Sequence, residues 1–367
     1  MRDAAASLRV GAPYELASVV TPVIRPPGIE LSRGLKELEE GQEWLLEPRM
    51  VNGNPCLWTP GIRMGVHSSS WYRHTECFGP VLGLMRACDF EDGLRLQNDS
   101  RFGLTGGLQS LDLREIRQWR ERVEVGNAYI NRPITGAIVQ RQPFGGWKRS
   151  AIGPGAKAGG PNYVLQLARW SEVSLPRAGK EGSHSELAEA FCRILAPATE
   201  RIRAAIASYA RWWREEFSVA HDPSEVLGES NIFRYRRGGR ILVRSEGMTL
   251  EEVALVLLAA RTCGVEVILS AGVRQGACTP LAVAAKVDWR LETEAGLCGW
   301  IRSEGEGVER IRALNPSEDL RRTACEAEVE VIDWPILANG RIELLHYLRE
   351  QAVSETRHRY GNIMARS

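Results

Sequence analysis

Residues 240–272 read RILVRSEGMTLEEVALVLLAARTCGVEVILSAG. The opening RILVR reads as a strand, a short apolar run between two arginines, Thr249 opens a capped helix, and VEVILSAG is a second apolar strand. Strand, helix and strand in this order form a βαβ unit, whose crossover makes the two strands parallel. A third apolar strand is expected in EVEVIDW, residues 328–334. Together these predict a Rossmann-like layer architecture. The glycines of a phosphate cradle are missing, however. The block contains no GxGxxG and no GxxxxGK[ST], and SAGVRQGA at 270–277 is its nearest glycine-bearing strand-to-loop junction. The block therefore reads as a packing or assembly module that binds no dinucleotide of its own.

Working upstream, residues 186–217 have helical patterning, with the Trp212–Trp213 pair anchoring an Arg-rich surface helix. The preceding stretch 176–185, PRAGKEGSHS, has the composition of a linker. It divides the chain into a first block, 1–175, and a second block, 186–367. In the first block, GIELSRGLKELEEGQEWLL (28–46) reads as a helix and CLWTPGIRMGV (56–66) as a strand. LDLREIRQWRERV (111–123) is an amphipathic helix that Asp112 can cap, and VGNAYINR (125–132) is a short strand. A Gly-rich irregular run, PFGGWKRSAIGPGAKAGGP, follows at 143–161. Helices and strands alternate, so the fold class is α/β throughout.

Composition narrows the function classes. A length of 367 residues suits two or three domains, and 47 Lys plus Arg against 46 Asp plus Glu leave a net charge of +1. That balance gives no support for a nucleic-acid or membrane-surface partner. The start, MRDAAASLRVGAP, has no apolar signal-peptide core, and no run approaches the ~18 apolar residues of a membrane helix. A soluble, cytoplasmic protein is expected. Eight cysteines stand at 56, 77, 88, 192, 263, 278, 298 and 325 without a CxxC pair. Reduced thiols without a zinc site are expected, with Cys263 a core residue after its apolar helix.

Three motifs occur in the first block: ECFGPV at 76–81, RFGLTGGLQS at 101–110 and QPFGGWKRSAIG at 142–153. In this order and spacing they resemble the aldehyde dehydrogenase superfamily. RVGAPYELASVVTPVI (9–24) resembles the family's segment after the active-site cysteine, so the resemblance covers residues 8–170. NRPITGAIVQRQPFGGWKRSAIGPGAKAGGPNY (131–163) is similar to the branch acting on glutamate semialdehyde, the ring-opened form of 1-pyrroline-5-carboxylate. YLREQAVSETRHRYGN (347–362) resembles the C-terminal motif of the proline utilization A fusions, some of which carry an extra domain like the second block.

The resemblance implies roles for individual residues. Glu76 is the carboxylate that accepts from the nicotinamide ribose hydroxyls of NAD, and Phe78 packs beside that cofactor. Gly136 and Ala137 form the backbone anchor for the substrate α-carboxylate, and Phe144 flanks the aliphatic chain. Ala137 replaces the Ser of some relatives, so a hydroxyl contact is lost there. NYVLQLARW (162–170) resembles the oligomerisation strand, and the tail 356–367, TRHRYGNIMARS, is expected to be ordered by packing against the first block.

Aldehyde oxidation by this family needs a thiolate and a general base. Neither is expected in this chain, since Cys56, Cys77 and Cys88 all lack the nucleophile's context. The expectation is the C-terminal portion of an NAD-dependent glutamate-semialdehyde dehydrogenase, inactive alone and binding no NAD tightly by itself. Its partner would be an N-terminal half or a second copy. A non-catalytic assembly or scaffold subunit is the alternative.

Overall fold

The computed structural model describes residues 1–139, 141–153, 155–177, 186–196, 200–359 and 362–363. The chain divides into two compact units, 1–101 with 121–123, and 102–120 with 124–367. Most of the 176–185 stretch, and with it Pro154, Tyr360 and Gly361, lies outside the described residues.

The first unit is built on a small mixed sheet. Strand β1 (Glu43–Leu46) pairs antiparallel with β2 (Gly61–Met64), which pairs parallel with β3 (Val81–Gly83). Helix α1 spans only Ile29–Lys36. The single helix expected over 28–46 is thus corrected. Gly41 takes φ +79°, a left-handed conformation that breaks a helix, and the apolar EWLL end gains more by pairing with β2. Arg63 of β2 is 1 % exposed and sits between rings, 4.1 Å from the Tyr72 centroid and 4.9 Å from that of Trp44. Its guanidinium donates to the carbonyls of Gly34 and Glu37 and to Gln42 Oε1, so a buried cation locks α1 to the sheet.

The second unit holds two sheets. In one, β4 (Thr105–Leu108) lies parallel to β5 (Asn127–Ile130). Between them runs helix α2 (Leu113–Arg122), where Asp112 accepts from the Arg114 N–H at 2.7 Å, the cap expected from the sequence. The other side of β5 is taken by the strand Leu348–Thr356, parallel, with Ala352 opposite Asn127 and Glu355 opposite Ile130. That late strand pairs antiparallel along its whole length with Glu229–Arg237. This sheet draws strands from both sides of the 176–185 stretch.

The other sheet is the Rossmann-like layer. Its strands are β7 (Arg240–Arg244), β8 (Val267–Ala271), β9 (Asp288–Leu291), β10 (Val308–Ala313) and β11 (Glu330–Ile332), where β6 denotes Glu229–Arg237 and β12 Leu348–Thr356. All neighbours are parallel in the order β9-β8-β7-β10-β11. Counted from β7, that is 3-2-1-4-5, the doubly wound order with its reversal between β7 and β10. Alternation along the strands sends Ile241, Val243 and Leu269 to a core with helix α3 (Leu250–Cys263) and sends Leu242, Ile268 and Ile311 to a separate core on the other face. Helix α3 is apolar nearly all round, and Val253 to Leu257 are at most 1 % exposed, each contributing roughly 1.5–3 kcal/mol on burial if Val or Leu. Cys263 is a buried core thiol, as its context implied.

Residues 186–217 are helical where described, as expected, over Glu186–Ile194 and Glu200–Trp212 and on through a π-turn at Trp213–Phe217. Residues 162–170 are not a strand. The segment closes on itself as a 3₁₀ turn over Val164–Leu167, with Leu165 N–H on the Asn162 carbonyl (3.1 Å) and the Trp170 indole N–H on Leu165 O (2.8 Å). Strand β10 was unforeseen, because GVERIRAL alternates arginines with apolar residues. Both arginines are buried, Arg310 donating to the carbonyls of His346 and Leu348, and Arg312 to Trp334 O and the Glu343 carboxylate. Among the described residues no helix is long and apolar enough to cross a membrane.

Candidate functional site

In the first unit, Glu39 accepts from the N–H groups of Trp71 (2.7 Å) and Tyr72 (3.1 Å), fixing the turn Trp71–His74 that leads into the ECFGPV motif. Burial raises the Glu39 carboxyl, but these N–H bonds outweigh it and hold the group below its ordinary value. Tyr72 donates to Val81 O at 2.8 Å, and burial pushes its phenol up to about 12. The motif leans on α1: a Cβ at Gly34 would come within 2.8 Å of the Cys77 sulfur, and one at Gly79 would strike Leu31. Glycine is required there for close approach.

This packing turns Glu76 and Phe78 outward. Both are exposed, Phe78 to 77 %, and both line a cleft of about 870 Å³ with the Val19–Ile24 segment and Gly28. Cys77 lines the same cleft, with its thiol on Glu30 O at 3.5 Å, and burial raises its pKa. A thiol in that state is a poor nucleophile.

In the second unit, strand β5 ends at Ile130 and delivers the loop with Gly136, Ala137 and Ile138. Gly136 has φ +80° with open space where a Cβ would stand, and its carbonyl accepts from Tyr129 Oη at 3.1 Å. Among the described residues neither Gly136 nor Ala137 donates its N–H to a protein acceptor, and both are exposed. Two adjacent N–H groups presented this way suit an anion. Phe144 is half-buried and bridges to Ala158 through two backbone bonds (3.0 and 2.9 Å). Gly126 and Gly145 meet backbone to backbone, since a Cβ on Gly126 would fall on Gly145 O.

The sequence did not single out what holds this loop. Gln142 is 2 % exposed; its Oε1 accepts from Ile138 N–H (2.9 Å) and its Nε2 donates to Asn231 Oδ1 (2.8 Å) on β6. Asn231 Oδ1 also accepts from Ser354 Oγ of β12 at 2.9 Å. Gln142 stands between Arg141 and Pro143, so no local pattern marked it as a buried amide. Behind it, Lys157 is fully buried, with Nζ on Asn127 Oδ1 (3.0 Å) and Gly145 O and its N–H on Glu350 (2.8 Å). Desolvation presses its pKa down to about 7, against the pull of Glu350. Glu76 and Phe78 therefore share one cleft, and Gly136, Ala137 and Phe144 share one β5-supported region. Among the described residues no group of three His, Cys, Asp or Glu side chains could hold a metal.

At the Rossmann-like layer, the turn after β7 is filled by the protein itself. Thr249 Oγ1 accepts from Glu252 N–H (3.2 Å) and the Glu252 carboxylate accepts from Thr249 N–H (2.9 Å), a closed capping box.

Residues 1–173 match the aldehyde dehydrogenase family. The 1-pyrroline-5-carboxylate dehydrogenase of Geobacillus thermodenitrificans (strain NG80-2) is 34 % identical over 173 residues, 46 % of this chain and 32 % of that protein. The Bacillus subtilis (strain 168) protein of the same description is 34 % identical over 165 residues, 43 % of this chain and 31 % of its own. Proline utilization A from Corynebacterium freiburgense is similar over 99 % of this chain and 34 % of its own, with 42 % identity and a TM-score of 0.80. The chain spans about a third of the length of these relatives. Over residues 1–173 this chain is thus similar to the aldehyde dehydrogenase family, and over nearly its whole length to a proline utilization A structure.

Proposed function

We propose that this chain is the C-terminal portion of an NAD-dependent L-glutamate γ-semialdehyde dehydrogenase of the proline utilization A type. The observation that carries the reading is the 42 % identity to a proline utilization A structure across 99 % of the chain, both blocks included. In this reading residues 1–175 are the closing part of the dehydrogenase and its oligomerisation region, 176–185 a linker, and 186–367 the added domain.

The exposed Glu76 carboxylate and Phe78 ring, on one cleft wall, fit a ribose and a planar ring, so they would hold NAD in the complete enzyme. NAD supplies the hydride acceptor when bound. The chain's own residues position the substrate: the Gly136 and Ala137 N–H groups receive the α-carboxylate, and the half-buried Phe144 excludes water along the aliphatic chain. The thiolate and general base come from outside residues 1–367. The β7–α3 turn takes no pyrophosphate, because the Glu252 carboxylate already occupies the Thr249 N–H, Thr249 Oγ1 occupies that of Glu252, and Glu246 and Glu251 add like charge. The second block is then an assembly module, a role to which the β5–β12–β6 pairing lends support.

The test is NADH formation from glutamate semialdehyde. The chain alone is expected to give none. Supplied in cis or in trans with a segment carrying the family's nucleophile, it should become active, and Glu76→Gln should then raise the KM for NAD about tenfold or more. Steady NADH formation by the pure chain, abolished by alkylating one of its cysteines, would overturn the reading.

A further inference from the structure

Asparagine precedes glycine twice in the chain, at Asn52–Gly53 in the first unit and at Asn339–Gly340 in the second. Glycine carries no side chain to shield its own amide nitrogen, so in such a pair that nitrogen can reach the carboxamide carbon of the asparagine before it. The fold treats the two pairs in opposite ways.

Asn52 and Gly53 are the central residues of a turn closed by Asn54 N–H on Val51 O (3.0 Å), and their φ angles of 52° and 66° make it type I′. Both residues are exposed. Among the described residues the Gly53 N–H has no acceptor and the Asn52 carboxamide no partner, and a Cβ at Gly53 would stand in open space. For the nitrogen to meet Cγ, the Asn52 backbone must leave its left-handed conformation and give up the bond that closes the turn. Water replaces an exposed bond of this kind at little cost.

Asn339 is held instead. Its Oδ1 accepts from Arg341 N–H (3.0 Å) and its carbonyl from Glu343 N–H (3.0 Å), which fixes it as the N-cap of the short helix Gly340–Glu343. Gly340 is buried, its N–H donates to Ser208 Oγ at 2.9 Å, and a Cβ there would come within 2.8 Å of Ser208 O. The nitrogen and the carboxamide are both engaged, and freeing them means lifting this helix off Ser208.

We propose that Asn52–Gly53 is a site of spontaneous covalent modification, converting to aspartate and isoaspartate in the folded chain, and that the fold protects Asn339–Gly340 from the same reaction. Hydroxide takes the Gly53 amide proton, and the nitrogen attacks Asn52 Cγ. The new N–Cγ bond closes a succinimide as the Cγ–Nδ2 bond breaks, and ammonia leaves with a proton from water. Water then opens the ring: at Cγ it gives aspartate, and at the Asn52 main-chain carbonyl it gives isoaspartate, with an extra methylene in the main chain. The net change is asparagine plus water to aspartate plus ammonia, without a redox step. Either product puts a negative charge into the 50–58 loop, whose Met50–Trp58 bridge and Val51 N–H to Leu57 O bond (2.8 Å) hold the buried Trp58.

The full chain is kept folded in mildly alkaline buffer and sampled over days, beside a portion unfolded in guanidinium chloride. Peptide mass spectrometry follows conversion at each asparagine, and electron-transfer fragmentation separates isoaspartate from aspartate. In the unfolded portion the two pairs should convert at similar rates. In the folded chain Asn52 should convert about tenfold or more faster than Asn339, whose cap and buried bond must both break first. An Asn52 that stays intact while the unfolded portion converts, or a folded-state ratio no larger than the unfolded one, overturns the proposal.

Discussion

Replacing Lys157 by Met tests the energetics of the buried lysine behind the anchor loop. Its ammonium has no exposure, and burial presses its pKa to about 7 from the ordinary 10.5. Between those values the unfolded chain holds a proton that the folded chain has lost, so stability rises with pH. The slope approaches about 1.4 kcal/mol per pH unit, the worth of one proton, and the whole window amounts to roughly 5 kcal/mol. Below about 7 both states are protonated, and above 10.5 both are neutral, so the contribution is flat outside the window. Met removes the titrating group and leaves Asn127 Oδ1 and Gly145 O without their donor. That loss is a constant offset, so the slope is diagnostic and the level is not. Urea unfolding of both proteins from about pH 6 to about pH 10 should give a difference in favour of the wild type that grows with pH. Parallel curves would show that Lys157 keeps its proton in the folded state, and the reasoning would fail.

Two further outcomes are expected. Thr249→Ala opens the capping box of α3 and should cost about 1 kcal/mol of stability, read from the urea midpoint; a loss within a few tenths would mean that packing alone fixes the helix start. Gln142→Leu releases Ile138 N–H and Asn231, so in the complete enzyme the KM for the aldehyde should rise about tenfold while that for NAD stays put. A change in the NAD value alone would place the loop's role elsewhere.

Local, apolar signals were legible. The β7–α3–β8 unit stands where residues 240–272 placed it, because a strand, a capped helix and a strand each declare themselves within a few residues. Elements that depend on distant partners were not. Strand β10 hides two buried arginines, and β12 reads REQAVSET, polar residues that become apolar-like only when Gln351 finds Val125 O (2.9 Å) and Ser354 finds Asn231. The helix expected over 28–46 failed for the same reason, since EWLL becomes a strand only beside β2. In the site, Glu76, Phe78, Gly136, Ala137 and Phe144 could be named only through resemblance, for a lone carboxylate or glycine has no chemistry of its own. The Gln142–Asn231 bond joins residues 89 positions apart, which no local pattern encodes.

Strand β12 has a bearing on how the chain is made. It is nearly the last element in sequence yet an interior strand of its sheet, with β5 on one side and β6 on the other. During synthesis β5 must wait for a partner more than two hundred residues downstream, so its pairing edge stays bare until that strand has been made. A ribosome that stops early leaves two open edges in the middle of the sheet, whereas losing a peripheral strand would merely shorten it. A product that stops before residue 348 therefore presents unpaired strand edges, and such edges invite association with other chains.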